Sequence, residues 1–307
     1  MHESVLLEEA ITSLHLQEDS IAVDMTLGFA GHSSEILKRV KKGYLFAFDQ
    51  DEEAIAYSKQ KLAAIGSNFE IIDANFANCK IELAKRGITQ VNAILYDLGV
   101  SSPQLDRDYR GFSYHQDAIL DMRMDHDNPL TAEIVVNTYT EQDLQRIFWQ
   151  YGESKYAKAI AHKIVTYRKQ QPITHTLELV DIIKSAVPIQ YRLKKHPAKQ
   201  IFQAIRMEVN HELDVLATSL QAALDLLAVN GYLAVITFHS LEDRMVKQLF
   251  KQKSEIDPIV KGMPNIPPEK LPDFKLITTK GIKPSAEELD HNPRSHSATL
   301  RVIQKIK

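Results

Sequence analysis

The sequence predicts an α/β protein: an open, mostly parallel sheet with crossover helices, interrupted by a mainly helical insertion of about one hundred residues. Three observations predict it. Over the first 97 residues short apolar runs alternate with helical patterns. Three of those runs end in an aspartate, Asp24, Asp49 and Asp97. The alternation stops after Asp97 and returns only with the apolar run 232–238. The predicted parts are a first sheet portion at 1–106, the insertion at 107–205 and a second sheet portion at 206–307.

Ile21-Ala22-Val23 reads as the first strand, followed by a loop containing Gly28 and Gly31. Ser33 or Ser34 is the expected cap of a helix whose Ile36, Leu37 and Val40 share one face. Residues 44–48 read as strand two. Asp51 then caps a helix carrying Glu52 and Glu53 in its first turn, and Gly66 closes it. Strand three is 69–72, a short helix runs to Gly87, and strand four is 93–96. Residues 98–118 are turn-rich, and 130–195 read as helices punctuated by Pro172 and Pro188. One long helix is expected after Pro197, with Phe202, Ile205, Val209, Leu213, Leu216, Leu220, Leu224 and Leu227 three or four apart and Gly231 at its end. Residues 232–238 form the strongest late strand, 241–250 a helix, and 257–272, with five prolines, a loop; strands near 274–279 and 297–306 close the chain.

With 307 residues, 44% of them hydrophobic, the chain can bury a core without disulfides or structural metal. Its one cysteine, Cys79, excludes an internal disulfide and a multi-thiolate zinc site. The start has neither a basic region nor a signal core, and no apolar run is long enough to cross a bilayer, so the expected location is the cytoplasm. The net charge of −3 argues weakly against a nucleic-acid partner until it is resolved by position. Residues 1–150 hold 13 basic and 24 acidic side chains, 151–206 hold 11 and 3, and 207–307 hold 13 of each. A basic block of that length points to a polyanion. Within it, Lys194 and Lys195 precede a stripe of Lys199, Gln203, Arg206 and Asn210. Lys194, Lys195, Lys199 and Arg206 are the candidate RNA contacts.

Ligands of open parallel sheets bind beyond the carboxyl ends of the strands, so Asp24, Asp49 and Asp97 are expected to line one crevice. Three carboxylates repel phosphate. The loop Gly28-Phe29-Ala30-Gly31 also lacks the full G-x-G-x-x-G fingerprint, and there is no G-x-x-x-x-G-K-[ST] loop. A cationic cofactor with ribose hydroxyls and no phosphate fits better, and S-adenosylmethionine has those properties. Asp49 is placed to accept from the ribose hydroxyls, Gly28 and Gly31 to let backbone approach the methionine part, Asp97 to hold its ammonium, and Phe76 to pack on adenine. Singly, an acid at a strand end is more often a turn or cap residue, and Phe76 a core residue. The series of three favours the cofactor.

These residues stand in long, specific segments that resemble the bacterial small-subunit ribosomal RNA methyltransferase H family, the MraW type. The matching stretches include Asp24-Met25-Thr26-Leu27-Gly28-Phe29-Ala30-Gly31-His32-Ser33 and Asp97-Leu98-Gly99-Val100-Ser101-Ser102-Pro103-Gln104-Leu105-Asp106. Further on come Thr237-Phe238-His239-Ser240-Leu241-Glu242-Asp243-Arg244 and Asn292-Pro293-Arg294-Ser295-His296-Ser297-Ala298. The resemblance covers essentially the whole chain. It implies a Rossmann-like class I methyltransferase fold, mostly parallel with an antiparallel C-terminal strand, carrying an inserted helical substrate domain. It also implies S-adenosylmethionine-dependent methylation of the exocyclic amine of a cytidine in the decoding region of small-subunit ribosomal RNA. The cofactor contacts it implies are Ala30, Gly31, His32, Asp49, Phe76, Asp97 and Gln104. The chain departs from the family in having Ala30 where Gly is usual, Ser4 where Pro is usual and His296 where Arg is usual. Ala30 loses easy access to positive φ, so if the loop needs positive φ there it is expected to shift slightly.

A cytosine amine is a weak nucleophile, so the base must be unstacked and its amine aligned and relieved of a proton. Asp97, or a carbonyl of its loop, is the first candidate acceptor. His239 with Asp243 is the second, although His239 serves equally well as a helix cap. Two other classes remain open: an RNA-binding ribosome assembly factor without transferase activity, and a nicotinamide-dependent oxidoreductase. A metal hydrolase on His32 and His239 is disfavoured by the lack of an H-E-x-x-H set, and no metal is expected.

Overall fold

The computed structural model describes residues 4–99, 110–125, 127–256, 259–260 and 262–307. The chain divides into two compact units, Met1–Gly99 with Val215–Lys307, and Val100–Asp214.

Among the described residues of the first unit the order is α1 Leu7–Ser13, β1 Ile21–Asp24, α2 Gly31–Arg39, β2 Tyr44–Asp49, α3 Glu52–Ala63, β3 Phe69–Asp73, α4 Cys79–Lys85 and β4 Val91–Asp97. The second unit follows with α5 Ala132–Thr138, α6 Glu141–Gln150, α7 Ala157–Tyr167, α8 Thr176–Ser185, α9 Ile189–Lys194 and α10 Ala198–Asn210. α11 Glu212–Leu226 leads back to the first unit, which ends with β5 Leu227–Thr237, α12 Ser240–Ser254, β6 Phe274–Leu276, α13 Ala286–His291 and β7 Thr299–Lys305.

The seven strands form one sheet in the order β3-β2-β1-β4-β5-β7-β6. β1 to β5 run parallel, and β7 pairs antiparallel with both β5 and β6. Helices cover both faces, which is why the central strands read as unbroken apolar runs. Successive residues alternate between two cores: Val23 and Ile94 belong to the cluster with Leu216, Leu220, Val246 and Phe250, while Ala22, Ala93 and Leu95 belong to the one with Ile11, Ile36 and Leu62. β1 is the point where chain order reverses, with β2 on one side and β4 on the other, and this is where an open sheet leaves a crevice. In the second unit, α5 to α8 and α10 surround a core that includes Val135, Phe148, Ile160, Ile183 and Ile205.

Asp51 caps α3 as expected, accepting from the Glu53 and Ala54 amides. Two other expectations change. α2 starts at Gly31 behind Ala30, so Ser33 and Ser34 lie inside it and turn their hydroxyls to Asp24 and to the Ala30 carbonyl. The long helix after Pro197 is two helices. His211 is left-handed, with φ 50° and ψ 36°, and its amide closes on the Glu208 and Met207 carbonyls. The apolar spacing runs through the break, but Phe202, Ile205 and Val209 face one core while Leu216, Leu220 and Leu224 face another. α11 then gives way to β5 at Leu227, ahead of Gly231.

Candidate active site

The carboxyl ends of β1, β2 and β4 bring Asp24, Asp49 and Asp97 to one edge of the sheet. Each is held differently. Asp24 is 1% exposed; it accepts from the Thr26 amide at 3.1 Å and from the Ser33 hydroxyl at 2.6 Å. Burial pushes its carboxyl up to about 6, against the hydrogen bonds from Ser33 and Thr26. Asp49 is tied to backbone: Oδ2 accepts from the Gly28 amide at 2.8 Å, and Oδ1 from the Gln50 and Asp51 amides at 2.8 and 2.9 Å. A carboxylate has about four acceptor positions, so these three amides leave Asp49 room for a further donor, on the side of Oδ2. Burial raises its carboxyl as well.

Asp97 is the least satisfied. Its side chain is 23% exposed, yet among the described residues Oδ1 is buried without a hydrogen-bond partner. Oδ2 lies 3.5 Å from His32 Nδ1. Burial, then the nearby Asp24 and Glu242, hold this carboxyl well above the usual range. His32 Nε2 lies 3.2 Å from the Val5 carbonyl. A proton on Nε2 satisfies that carbonyl, and the ring thereby sets Nδ1 toward Asp97. Thr26, which sequence reasoning missed, accepts from the Asp97 amide at 2.7 Å and so joins the ends of β1 and β4.

The loop between β1 and α2 does need positive φ at Ala30. Ala30 is fully buried with φ 54° and ψ 39°, so the backbone keeps a left-handed residue despite the methyl group. Gly31 has no room for a side chain: a Cβ there would sit 1.7 Å from the Ser4 hydroxyl oxygen. Phe76 opens a short turn after β3 and meets Tyr96 edge-on at 5.7 Å between ring centroids. Its carbonyl accepts from the Ser219 hydroxyl at 3.0 Å. Gln104, with Ser101 and Ser102, lies outside the described residues.

His239 occupies the cap of α12. Nδ1 accepts from the Glu242 amide at 3.4 Å, and Nε2 lies 2.9 Å from Glu242 Oε1. The Glu242 carboxylate in turn accepts from the His239 amide, completing a capping box. Asp243 is held by Arg301 through two bonds of 2.7 and 2.9 Å.

In the second unit, Lys194, Lys195 and Lys199 are exposed, and among the described residues none of the three has a carboxylate partner. Arg206 does not belong with them. It is 15% exposed and forks onto Glu212 at 2.7 and 2.8 Å. Gln203 donates to the Tyr151 carbonyl, and Asn210 brackets Met122 and Met124. The polar stripe beyond Lys199 therefore ties α10 to its own unit instead of facing solvent.

The MraW methylase family profile matches residues 1–306. Curated proteins named ribosomal RNA small subunit methyltransferase H are similar over the whole chain. The one from Streptococcus mutans is 54% identical over 310 residues, with 100% of this chain and 98% of that protein covered. The one from Exiguobacterium sibiricum is 52% identical over 307 residues, with the same coverage. The one from Lactiplantibacillus plantarum is 50% identical over 310 residues, with 100% and 97% covered. Among solved structures, an rRNA methylase from Streptococcus thermophilus aligns over 97% of this chain and 93% of its own, at 12% identity and a TM-score of 0.44.

Proposed function

The chain belongs to the MraW methylase family, and from that premise we propose that it transfers a methyl group from S-adenosylmethionine to the exocyclic amine of one cytidine in the decoding region of small-subunit ribosomal RNA. The reading includes a partner, the small-subunit RNA in its subunit, and a cytoplasmic location. No helix among the described residues is long and apolar enough to cross a membrane.

One observation carries the cofactor assignment: at the reversal point of the sheet an acid ends each of three strands, and among the described residues Asp97 keeps a buried oxygen with no donor. Such an edge repels phosphate and accepts a cation bearing ammonium and hydroxyl donors. Asp97 would hold the ammonium, Asp49 one ribose hydroxyl, Phe76 the adenine face, and the backbone from Ala30 to His32 the methionine part. Bound there, the cofactor supplies an electrophilic methyl group on a sulfonium centre.

The amine nitrogen gains that methyl and loses one proton. Asp97 is the proposed acceptor, because burial beside Asp24 and Glu242 makes it basic for a carboxylate. His239 is the weaker candidate, since its Nδ1 is taken up by the Glu242 amide as the cap of α12. Lys194, Lys195 and Lys199 are proposed to meet phosphates, and Arg206 leaves that set. We assign residues 107–205 to the substrate domain of this reading.

The deciding experiment incubates the protein with methyl-labelled S-adenosylmethionine and unmethylated small ribosomal subunits. Label on a single cytidine is expected. RNA binding without transfer would favour an assembly factor, and calorimetric binding of a nicotinamide cofactor in place of S-adenosylmethionine would favour an oxidoreductase. Asp49→Ala is expected to abolish most of the cofactor affinity; unaltered binding would remove Asp49 from the site.

A further inference from the structure

Two side chains of α3 are committed in a way the proposed mechanism does not use. Ser58 is fully buried and donates its hydroxyl to the Gly28 carbonyl at 2.8 Å. Lys61 donates its ammonium to the Phe29 carbonyl at 3.0 Å. Among the described residues Lys61 has no carboxylate partner, and desolvation, with Lys38 nearby, lowers its pKa. A half-buried lysine placed on a neutral carbonyl is an expensive arrangement unless that carbonyl must stay where it is.

The carbonyls in question belong to the two residues immediately before Ala30. The Gly28 amide is gripped at the same time by Asp49. The Ala30 amide closes a turn onto the Leu27 carbonyl at 2.9 Å. The Phe29 ring lies 5.2 Å from that of Tyr57, on the same helix as Ser58 and Lys61. Ala30 itself is left-handed, a conformation an L residue with a Cβ disfavours. Something outside the loop must therefore hold it.

We infer that Ser58 and Lys61 are positioning residues: they grip the Gly28 and Phe29 carbonyls and so hold Ala30 in the left-handed turn that starts α2. The inference rests on the methyltransferase reading only for its consequence, namely that this loop carries the cofactor's methionine part. The grip itself can be tested without any cofactor. A glycine at position 30 would not need it, because glycine enters the left-handed region without steric cost.

The test uses the full-length chain with Ser58→Ala and Lys61→Met, each with and without Ala30→Gly. Amide hydrogen exchange without cofactor is expected to quicken about tenfold at residues 28 and 30, the scale of one lost charge-assisted hydrogen bond, while the β2 amides keep their protection. S-adenosylmethionine affinity is expected to fall by a similar factor, with kcat changing less. Adding Ala30→Gly is expected to reduce both losses to about threefold or less, and Lys61→Arg to restore protection. Unchanged exchange in both single variants overturns the inference, as does an equal loss with and without Ala30→Gly. A wild-type chain that binds no S-adenosylmethionine sinks the methyltransferase reading, and the exchange result still judges the grip.

Discussion

Asp24 and Asp97 end adjacent strands, and desolvation raises both carboxyls. For Asp24 the consequence for stability has a definite sign. A raised folded-state pKa means the folded chain binds the proton more tightly than the unfolded chain. Its destabilising effect is therefore absent below the unfolded value of 3.8, grows up to about 6 and stays constant above that. The displacement corresponds to about 3 kcal/mol at neutral pH. Asp24→Asn is accordingly expected to gain stability relative to wild type as pH rises from 5 to about 7.5. Denaturant titrations at the two values check this, and a difference independent of pH would contradict it. Desolvation also raises Asp97, so cofactor binding is expected to weaken on acidification as Asp97 takes up its proton. Calorimetric titrations with S-adenosylmethionine at stepped pH check this, and a pH-independent affinity would contradict it. The three strand-end acids were legible in the sequence, because strand ends show as the limits of apolar runs. Their unequal partners were not, because Thr26, Ser33 and His32 reach them only through the folded loop.

The break at His211 shows how far periodicity carries at the level of an element. Spacings of three and four report that a residue is buried, not which core buries it, so Val209 and Leu213 read as one helix when a left-handed residue separates two. The cap predicted for α2 failed for a related reason. Serine is a good cap in general, but here Asp24 and the Ala30 carbonyl take the hydroxyls of Ser33 and Ser34. His211 is exposed and carries φ 50° at a helix end, the position where glycine is preferred. His211→Gly is expected to stabilise the chain by about 0.5–1 kcal/mol, since the left-handed cost of a Cβ exceeds the extra chain entropy of glycine. Thermal unfolding measures it, and a lowered Tm would contradict the assignment. Gly31→Ala is expected to weaken the start of α2 unless Ser4 is also shortened, given the 1.7 Å approach. Comparing Gly31→Ala with and without Ser4→Gly by thermal shift tests that pairing.

At the scale of the whole molecule, the charge that sums to −3 is divided. Acids gather at the carboxyl edge of the sheet, and in the second unit Lys194, Lys195 and Lys199 are exposed with no carboxylate partner among the described residues. RNA affinity is expected to fall with salt, and replacing Lys194, Lys195 and Lys199 together by alanine to reduce the logarithmic salt slope by about two. Replacing Arg206 is expected to cost stability instead, by stranding Glu212. Filter binding across salt concentrations, with thermal unfolding alongside, distinguishes the two outcomes; an unchanged slope in the triple variant would remove the lysines from the RNA contact. The alternation of strands and helices, the three acids and the family were readable along the chain, because apolar periodicity and linear motifs are properties of neighbouring residues. The folded contacts alone show that Arg206 is paired with Glu212, that among the described residues Asp97 keeps an oxygen without a hydrogen-bond partner, and that Ala30 is left-handed. Each of those depends on which distant groups desolvate or bond a side chain, and chain order does not record that.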